Sequence, residues 1–202
     1  MDAVTVEPLR IAFRRQVREQ ALQIAHGLTL AHGWDQVRVG EVAAAAGVSR
    51  PTLYKEFGNK QGLGEALVLR ETDRFLTGIA DRLARHEGDA AAGIAAAVRY
   101  TLDEASGSPL LLAVLTSTRG GDDSLLPFLT TRSAPVLAAA SLALVTWFDE
   151  HHPDLDPTDV AEGVDALVRL TVSHLVLPAA DRAETSDRLA RLAVRYLRLP
   201  TA

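Results

Sequence analysis

The chain has 202 residues, with 21 basic and 26 acidic side chains, 48% hydrophobic residues and no cysteine. That length suits one large domain or two small ones, and the lack of thiols excludes disulfide frameworks, thiolate zinc sites and cysteine nucleophiles. No stretch reaches about 18 uninterrupted apolar residues, and MDAVTVEPLR lacks a basic leader followed by an apolar run, so a cytoplasmic protein without a membrane span is expected.

Ala (33) and Leu (30) dominate, while Tyr, Phe and Trp number only 3, 5 and 2, which points to an all-α fold. Residues 1–60 carry a formal charge of +2 and the remainder −7. The asymmetry fits an N-terminal part that meets a polyanion, but a solvated helix also carries such a charge, so it assigns no partner by itself.

In chain order, Phe13, Val17, Ala21, Ile24, Ala25 and Leu28 recur at helical spacing and predict a helix from about Glu7 to His32, with Arg10, Arg14 and Arg18 on another face. Gly33 ends it. Two short helices are predicted over Val39–Ala46 and Arg50–Phe57, separated by Gly47-Val48-Ser49, in which Gly47 stops the first and Ser49 caps the second. After Gly58-Asn59 a long helix is expected over Lys60–Arg85. Further helices are expected over Asp89–Ala105, Pro109–Thr118, Leu125–Glu150, Pro157–Val176 and Ala183–Leu197, with a loop at Gly120-Gly121-Asp122-Asp123.

The segment from about 38 to 57 carries the function. A helix-turn-helix needs a small residue where two helices cross, a glycine four positions later for the turn, and apolar residues around both. Ala43 and Gly47 stand in that relation, with Val39, Val42, Val48 and Leu53 as the miniature core. Arg50, Thr52, Tyr54 and Lys55 are then left free to enter a major groove or touch the phosphates beside it.

Gly33-Trp34 followed by Val39-x-x-Val42-Ala43-x-x-x-Gly47-Val48-Ser49-x-x-Thr52-Leu53-Tyr54-x-x-Phe57-x-x-Lys60 resembles the DNA-binding segment of TetR-type transcriptional regulators. The likeness covers about 60 residues. It implies a three-helix DNA-binding domain at 1–59 and a helical ligand-binding and dimerisation domain at 60–202. It also implies DNA roles for Ser49, Thr52, Tyr54, Lys55 and Lys60, with Tyr54 and Lys60 as phosphate ligands and Phe57 locking the second helix to the core. Two departures stand out: Val37-Arg38 replaces the Ser or Thr usual before the first of the two short helices, and Pro51 occupies a position where Gly is usual. Arg38 substitutes a charged phosphate contact for a hydroxyl but cannot cap as an acceptor, and Pro51 fits the first helical turn. The expected DNA-facing set is therefore Arg38, Ser49, Arg50, Pro51, Thr52, Tyr54, Lys55 and Lys60.

Elsewhere, His151-His152 with Asp149, Glu150 and Asp154 has the composition of a metal cluster, but adjacent helical residues do not share a face and a solvated helix end is expected instead. His174 is either a hydrogen-bonding group for a ligand or partner subunit, or a satisfied core histidine. No metal site and no cofactor is implied. No G-x-S-x-G, P-loop or dinucleotide fingerprint occurs, so no enzyme is expected.

Apolar positions after residue 86 exceed what single amphipathic stripes need, which predicts a hydrophobic effector pocket bordered by some of Tyr100, Leu111, Leu115, Phe128, Trp147 and His174. In the last helix Leu189, Leu192, Ala193, Tyr196 and Leu197 form an apolar stripe beside Arg188, Arg191, Arg195 and Arg198. An amphipathic membrane helix has this look. A packing pair with the preceding helix, whose Asp156, Asp159, Glu162 and Asp165 face opposite charges, is the simpler account. In the family such helices form a dimeric four-helix bundle, which implies an interface with Val164, Val168, Leu189, Leu192 and Tyr196. The expected protein is a homodimeric, ligand-responsive regulator, a repressor, that binds a palindromic double-stranded DNA operator and a small effector. The alternative is an all-α small-molecule-binding or interaction module with a degenerate helix-turn-helix.

Overall fold

In the computed structural model, which describes residues 9–116 and 133–199, every regular element is helical. The helices are α1 (Leu9–His32), α2 (Val39–Ala45), α3 (Arg50–Phe57), α4 (Lys60–Ala84), α5 (Ala90–Gly107), α6 (Pro109–Thr116), α7 (Ser133–His151), α8 (Pro157–Val176) and α9 (Arg182–Tyr196). A single 3-10 turn, Trp34–Gln36, follows α1. The chain divides into two compact units, Met1–Arg70 and Glu71–Ala202, and α4 contributes residues to both. The expected Gly120–Asp123 loop and Phe128 lie outside the described residues.

In the first unit the chain reverses where glycine alone takes the backbone at no steric cost. Gly47, at φ 65°, follows α2 and lets the Val48 and Gly47 amides donate to the carbonyls of Ala43 (3.0 Å) and Ala44 (3.1 Å). This is the Schellman pattern that consumes the orphan carbonyls at the end of α2. One residue later the Ser49 hydroxyl accepts from the Thr52 amide at 3.3 Å and starts α3. Asn59 does the same for α4, its Oδ1 accepting from Gly62 N at 2.8 Å. A Cβ on Gly62 would run into the Phe57 carbonyl, and one on Gly64 would come within 2.7 Å of the Trp34 ring. Two glycines thus let the start of α4 close on the end of α3 and on the turn after α1. Val17, Ala21, Ala25, Val37, Val42, Ala43 and Leu53 form the core beneath. Phe13 lies one turn before Val17 on the same stripe, yet it is 60% exposed. The apolar pattern of α1 outruns the neighbours that cover it.

The second unit is built around α5, which packs on α6, α8 and α9, while α8 also packs on α6, α7 and α9. Acidic residues start its helices: Asp89, Asp156 and Asp181 each accept from amides in the first turn of α5, α8 and α9. Small residues admit the closest neighbours, Gly93 facing the Trp147 ring and Gly163 the rings and methyls of Tyr196 and Leu197. Ile94, Leu102, Phe148, Val160, Val164 and Leu189 are buried between them. The charges on α8 and α9 do not pair across the two helices as the sequence pattern proposes. Arg169 binds Asp165 within α8, Arg188 binds Glu184 within α9, and Arg182 reaches Asp103 on α5. Tyr196 Oη, donating to Glu162 at 2.9 Å, joins α9 to α8.

The end of α7 also differs from expectation. His151 stacks on Trp147 at 5.1 Å and His152 sits edge-on to the same ring at 5.6 Å. Trp147 Nε1 and His152 Nε2 are both buried and find no hydrogen-bond partner. Burial, aided by the neighbouring His151, pushes the His152 imidazole below the ordinary histidine range. A base with a depressed folded value binds fewer protons folded than unfolded, so its contribution is whole above the unfolded value of about 6.5 and is lost as pH falls from there through the folded value. Urea unfolding is expected to show stability falling as pH drops below about 6.5, before the depressed carboxylates Asp103, Asp156 and Asp165 begin to matter. His152→Phe should flatten that window. A slope unchanged in the variant would assign the effect to another group.

Candidate nucleic-acid interface and effector cavity

The candidate DNA face is assembled by α2 and α3. Leu53 is buried to 1% exposure, and its anchoring turns Arg50, Pro51, Tyr54 and Lys55 outward. Tyr54 is 49% exposed, far above what a core aromatic shows. The Ser49 hydroxyl pairs with that of Thr52 at 2.8 Å, so the cap also orients Thr52 at the edge of the face. Arg38 occupies the N-cap of α2 with its side chain making no cap bond, and it is exposed. The Arg50 guanidinium lies over Gly40, where a Cβ would meet Nε at 2.7 Å. Arg50 is thereby laid across the first turn of α2 rather than extended along α3.

Lys60 sits at the rim of this face but is already engaged. Its Nζ donates to the Asp35 carbonyl at 2.9 Å and lies 5.3 Å from the centroid of the Trp34 ring. An ammonium has three donors, so the contact aims the group without exhausting it. Glu56 has no forecast in the local sequence. Its carboxylate, only 9% exposed, bridges Arg14 and Arg18 on α1, and Arg18 also stands 5.1 Å over the Phe57 ring. Phe57, half-buried, joins α3 to α1 through this cation–π contact as well as by packing. The partners are 38 and 42 positions apart, beyond any periodicity that links residues of one helix.

The second unit holds a partly open apolar cavity of about 40 Å³, lined by Phe75, Ile79, Ile94, Val98, Leu144 and Leu167 among others. Of the residues expected at a pocket, Leu115 lines it. Tyr100, Leu111, Trp147 and His174 do not. Tyr100 stacks on Phe75 at 5.9 Å with its other side under the Arg82 guanidinium at 3.9 Å, and burial followed by the nearby Glu104 raises its phenol pKa. Leu111 and Trp147 are buried in packing away from the cavity, and His174 lines a separate surface groove. The cavity's own polar atoms belong to Thr101 and Thr171, whose hydroxyls donate to the carbonyls one turn earlier, Ala97 and Leu167. The apolar stripes of α4 and α5 were the signal for Phe75, Ile79 and Ile94, and the count of apolar positions obscured it.

On α8 and α9 an apolar face remains open. Leu170 is 41% exposed and Leu192 and Tyr196 are each 48% exposed, and together with Ala166 they line a groove of about 190 Å³. Of the expected interface set, Leu192 and Tyr196 lie on this face. Leu189, at 1% exposure, lines the bottom of the same groove, Val164 is buried inside the unit, and Val168 lines the apolar cavity. Among the described residues no helix is long and apolar enough to cross a membrane.

Residues 22–67 match the family described as bacterial regulatory proteins, tetR family, and residues 89–195 match the bacterial tetracyclin repressor C-terminal domain. The HTH-type transcriptional regulator AlkX of Mycobacterium tuberculosis is 32% identical over 171 residues, covering 85% of this chain and 80% of that protein. Among solved structures, the TetR family repressor AlkX from Dietzia sp. superposes with a TM-score of 0.65 at 28% identity, over 89% of this chain and 96% of its own. A tetR-family transcriptional regulator from Streptomyces coelicolor shares the fold, with a TM-score of 0.63 at 21% identity over 90% of this chain and 80% of its own. A two-helix unit with an exposed polar, aromatic and basic face inside the stretch matched by the first family description, a helical unit matched by the second, and a regulator 32% identical over 85% of the chain make this chain a member of the TetR family of DNA-binding transcriptional regulators.

Proposed function

We propose that the protein is a cytoplasmic, ligand-responsive repressor that binds a palindromic operator as a homodimer and leaves it when a small, mostly hydrophobic molecule binds. The observation that carries the DNA reading is the outward display of Arg50, Tyr54 and Lys55 by a helix whose Leu53 is wholly buried. Thr52 and Lys55, within 1–59, read base edges, and Arg38, Ser49, Arg50, Pro51 and Tyr54, with Lys60 just past that boundary, meet the sugar-phosphate backbone. The remaining chain, 60–202, holds the effector and the dimer contact. Two copies joined through the α8–α9 face would present two recognition helices to two half-sites.

The effector reading rests on the partly open cavity of the second unit, whose lining is almost entirely apolar. At about 40 Å³ it has room for a few waters and none for a multi-carbon ligand, whose sites are typically about 300 Å³ or larger. A ligand therefore has to part the helices to enter, and the parted arrangement is the one it stabilises. A molecule of equal affinity for both arrangements would release nothing. The Dietzia AlkX repressor is implicated in biodegradation of n-alkanes, and an apolar chain of that kind suits this lining.

Footprinting of the DNA upstream of the gene, with and without added apolar ligands, tests the reading. Lys60→Ala is expected to weaken binding evenly across sequences and to lower the salt slope by about one, because a phosphate contact carries no base information. Lys55→Ala is expected to change which operators are preferred. An unaltered preference across an operator library would remove Lys55 from the reading set, and the absence of any protected site would remove the regulatory reading.

A further inference from the structure

We propose that Gly40 is a positioning residue for DNA binding. By leaving its side-chain space empty it holds the Arg50 guanidinium flat against α2, where Arg50 meets a phosphate and is kept from the base edges. The inference deepens the DNA reading above and rests on the assignment of Arg50 to the sugar-phosphate backbone.

Gly40 is the second residue of α2, and its backbone does not require glycine. Among the described residues the glycines at positive φ are Gly33, Gly47 and Gly58, and Gly40 is not one of them. Alanine is the better residue inside a helix, because glycine loses more conformational freedom on entering it. The glycine is thus a cost to α2 that its own conformation does not explain.

The space beside it does explain it. A Cβ on Gly40 would lie 2.7 Å from Arg50 Nε, 2.8 Å from Cζ and 2.9 Å from Nη2, whereas favourable contacts between carbon atoms lie at about 3.5–4.0 Å. Those three atoms are the far end of a long, exposed side chain that starts at the first residue of α3. A methyl group at position 40 would therefore swing the guanidinium away and leave the two helices as they are.

The second sign is what the guanidinium lacks. It has no hydrogen-bond or ion-pair partner among the described residues, and Glu41 beside Gly40 does not engage it. Its five N–H donors are unspent, in the planar fork that suits a phosphate. An arginine extended into a major groove is the commonest reader of guanine, through a bidentate pair with O6 and N7. Laid across α2 instead, Arg50 is withdrawn from that pairing and left beside the strand that flanks the groove.

Anisotropy titrations of the full chain with a random-sequence duplex and with the footprinted operator, between about 50 and 200 mM salt, test the assignment. Arg50→Ala is expected to weaken binding to both by about tenfold and to lower the salt slope by about one, without changing base preference across an operator library. Gly40→Ala is expected to do the same while the melting temperature holds or rises, a combination that damage to α2 cannot produce. In the Arg50→Ala background Gly40→Ala is expected to add nothing. In the unsubstituted, DNA-free protein a nuclear Overhauser contact between the Gly40 Hα and Arg50 Hδ protons is expected, a readout that needs no variant. The positioning role is overturned if that contact is absent, if Gly40→Ala leaves binding unchanged where Arg50→Ala weakens it, or if Gly40→Ala weakens binding equally in the Arg50→Ala background. Arg50→Ala without effect on affinity or slope, or with a changed base preference, would instead overturn the phosphate assignment of Arg50 and the positioning role with it.

Discussion

Leu192→Asp is expected to split the proposed homodimer into folded monomers that no longer protect operator DNA. Leu192 is 48% exposed in one protomer and sits with Leu170, Ala166 and Tyr196 around the open groove of α8 and α9. An aspartate there is solvated while the protomer is alone, so folding of the single chain is spared. Closing the same face against a second copy would bury that charge without a partner, at about 3–5 kcal/mol, and two-fold symmetry imposes the cost twice. Dimer affinity should therefore fall by at least about a thousandfold. Sedimentation of wild type and variant at micromolar concentration gives the oligomeric state, and near-UV circular dichroism reports the fold. A variant that still sediments as a dimer would move the interface off this face. Leu189→Asp should behave differently: Leu189 is buried at 1% exposure, so the same charge would unfold the second unit instead of separating two intact chains.

Leu53→Ala is expected to abolish operator binding through local unfolding. Leu53 is 1% exposed and is the buried anchor of α3, a helix only 8 residues long. Truncating a buried leucine costs about 2–5 kcal/mol, most of the stability a unit of roughly 60 residues has to spare. Amide exchange measured by mass spectrometry should lose protection across α2 and α3 while α5, α8 and α9 keep theirs. Tyr54→Ala, one position on, should leave exchange unchanged and reduce DNA affinity, because its ring is half exposed and supports no core. Equal loss of protection throughout the chain would show that the two units do not unfold separately.

Helix ends and the exposed face of α3 were legible in the chain because their causes are local. Gly33, Gly47 and Gly58 adopt positive φ, Ser49 caps α3, and Asp156 and Asp181 cap α8 and α9, each within a few residues of the element it controls. The identity of the exposed α3 side chains follows from one buried leucine and a period of 3.6. The α2–α3 unit could thus be read nearly whole, including the family it belongs to.

Tertiary packing decided the rest, because which apolar residues face a cavity, a neighbour or solvent depends on helices far away in sequence. Trp147 and Leu111 look like pocket residues by type, but the close approach allowed by Gly93 commits Trp147 to packing. Leu189 and Leu192 share one amphipathic stripe, and only the position of α8 makes the first core and the second surface. Phe13 repeats the spacing of Val17 and is nonetheless 60% exposed. Ion pairs such as Arg14 and Arg18 with Glu56, or Arg182 with Asp103, join residues 38 to 79 positions apart, where no periodicity operates and only the folded geometry brings opposite charges together.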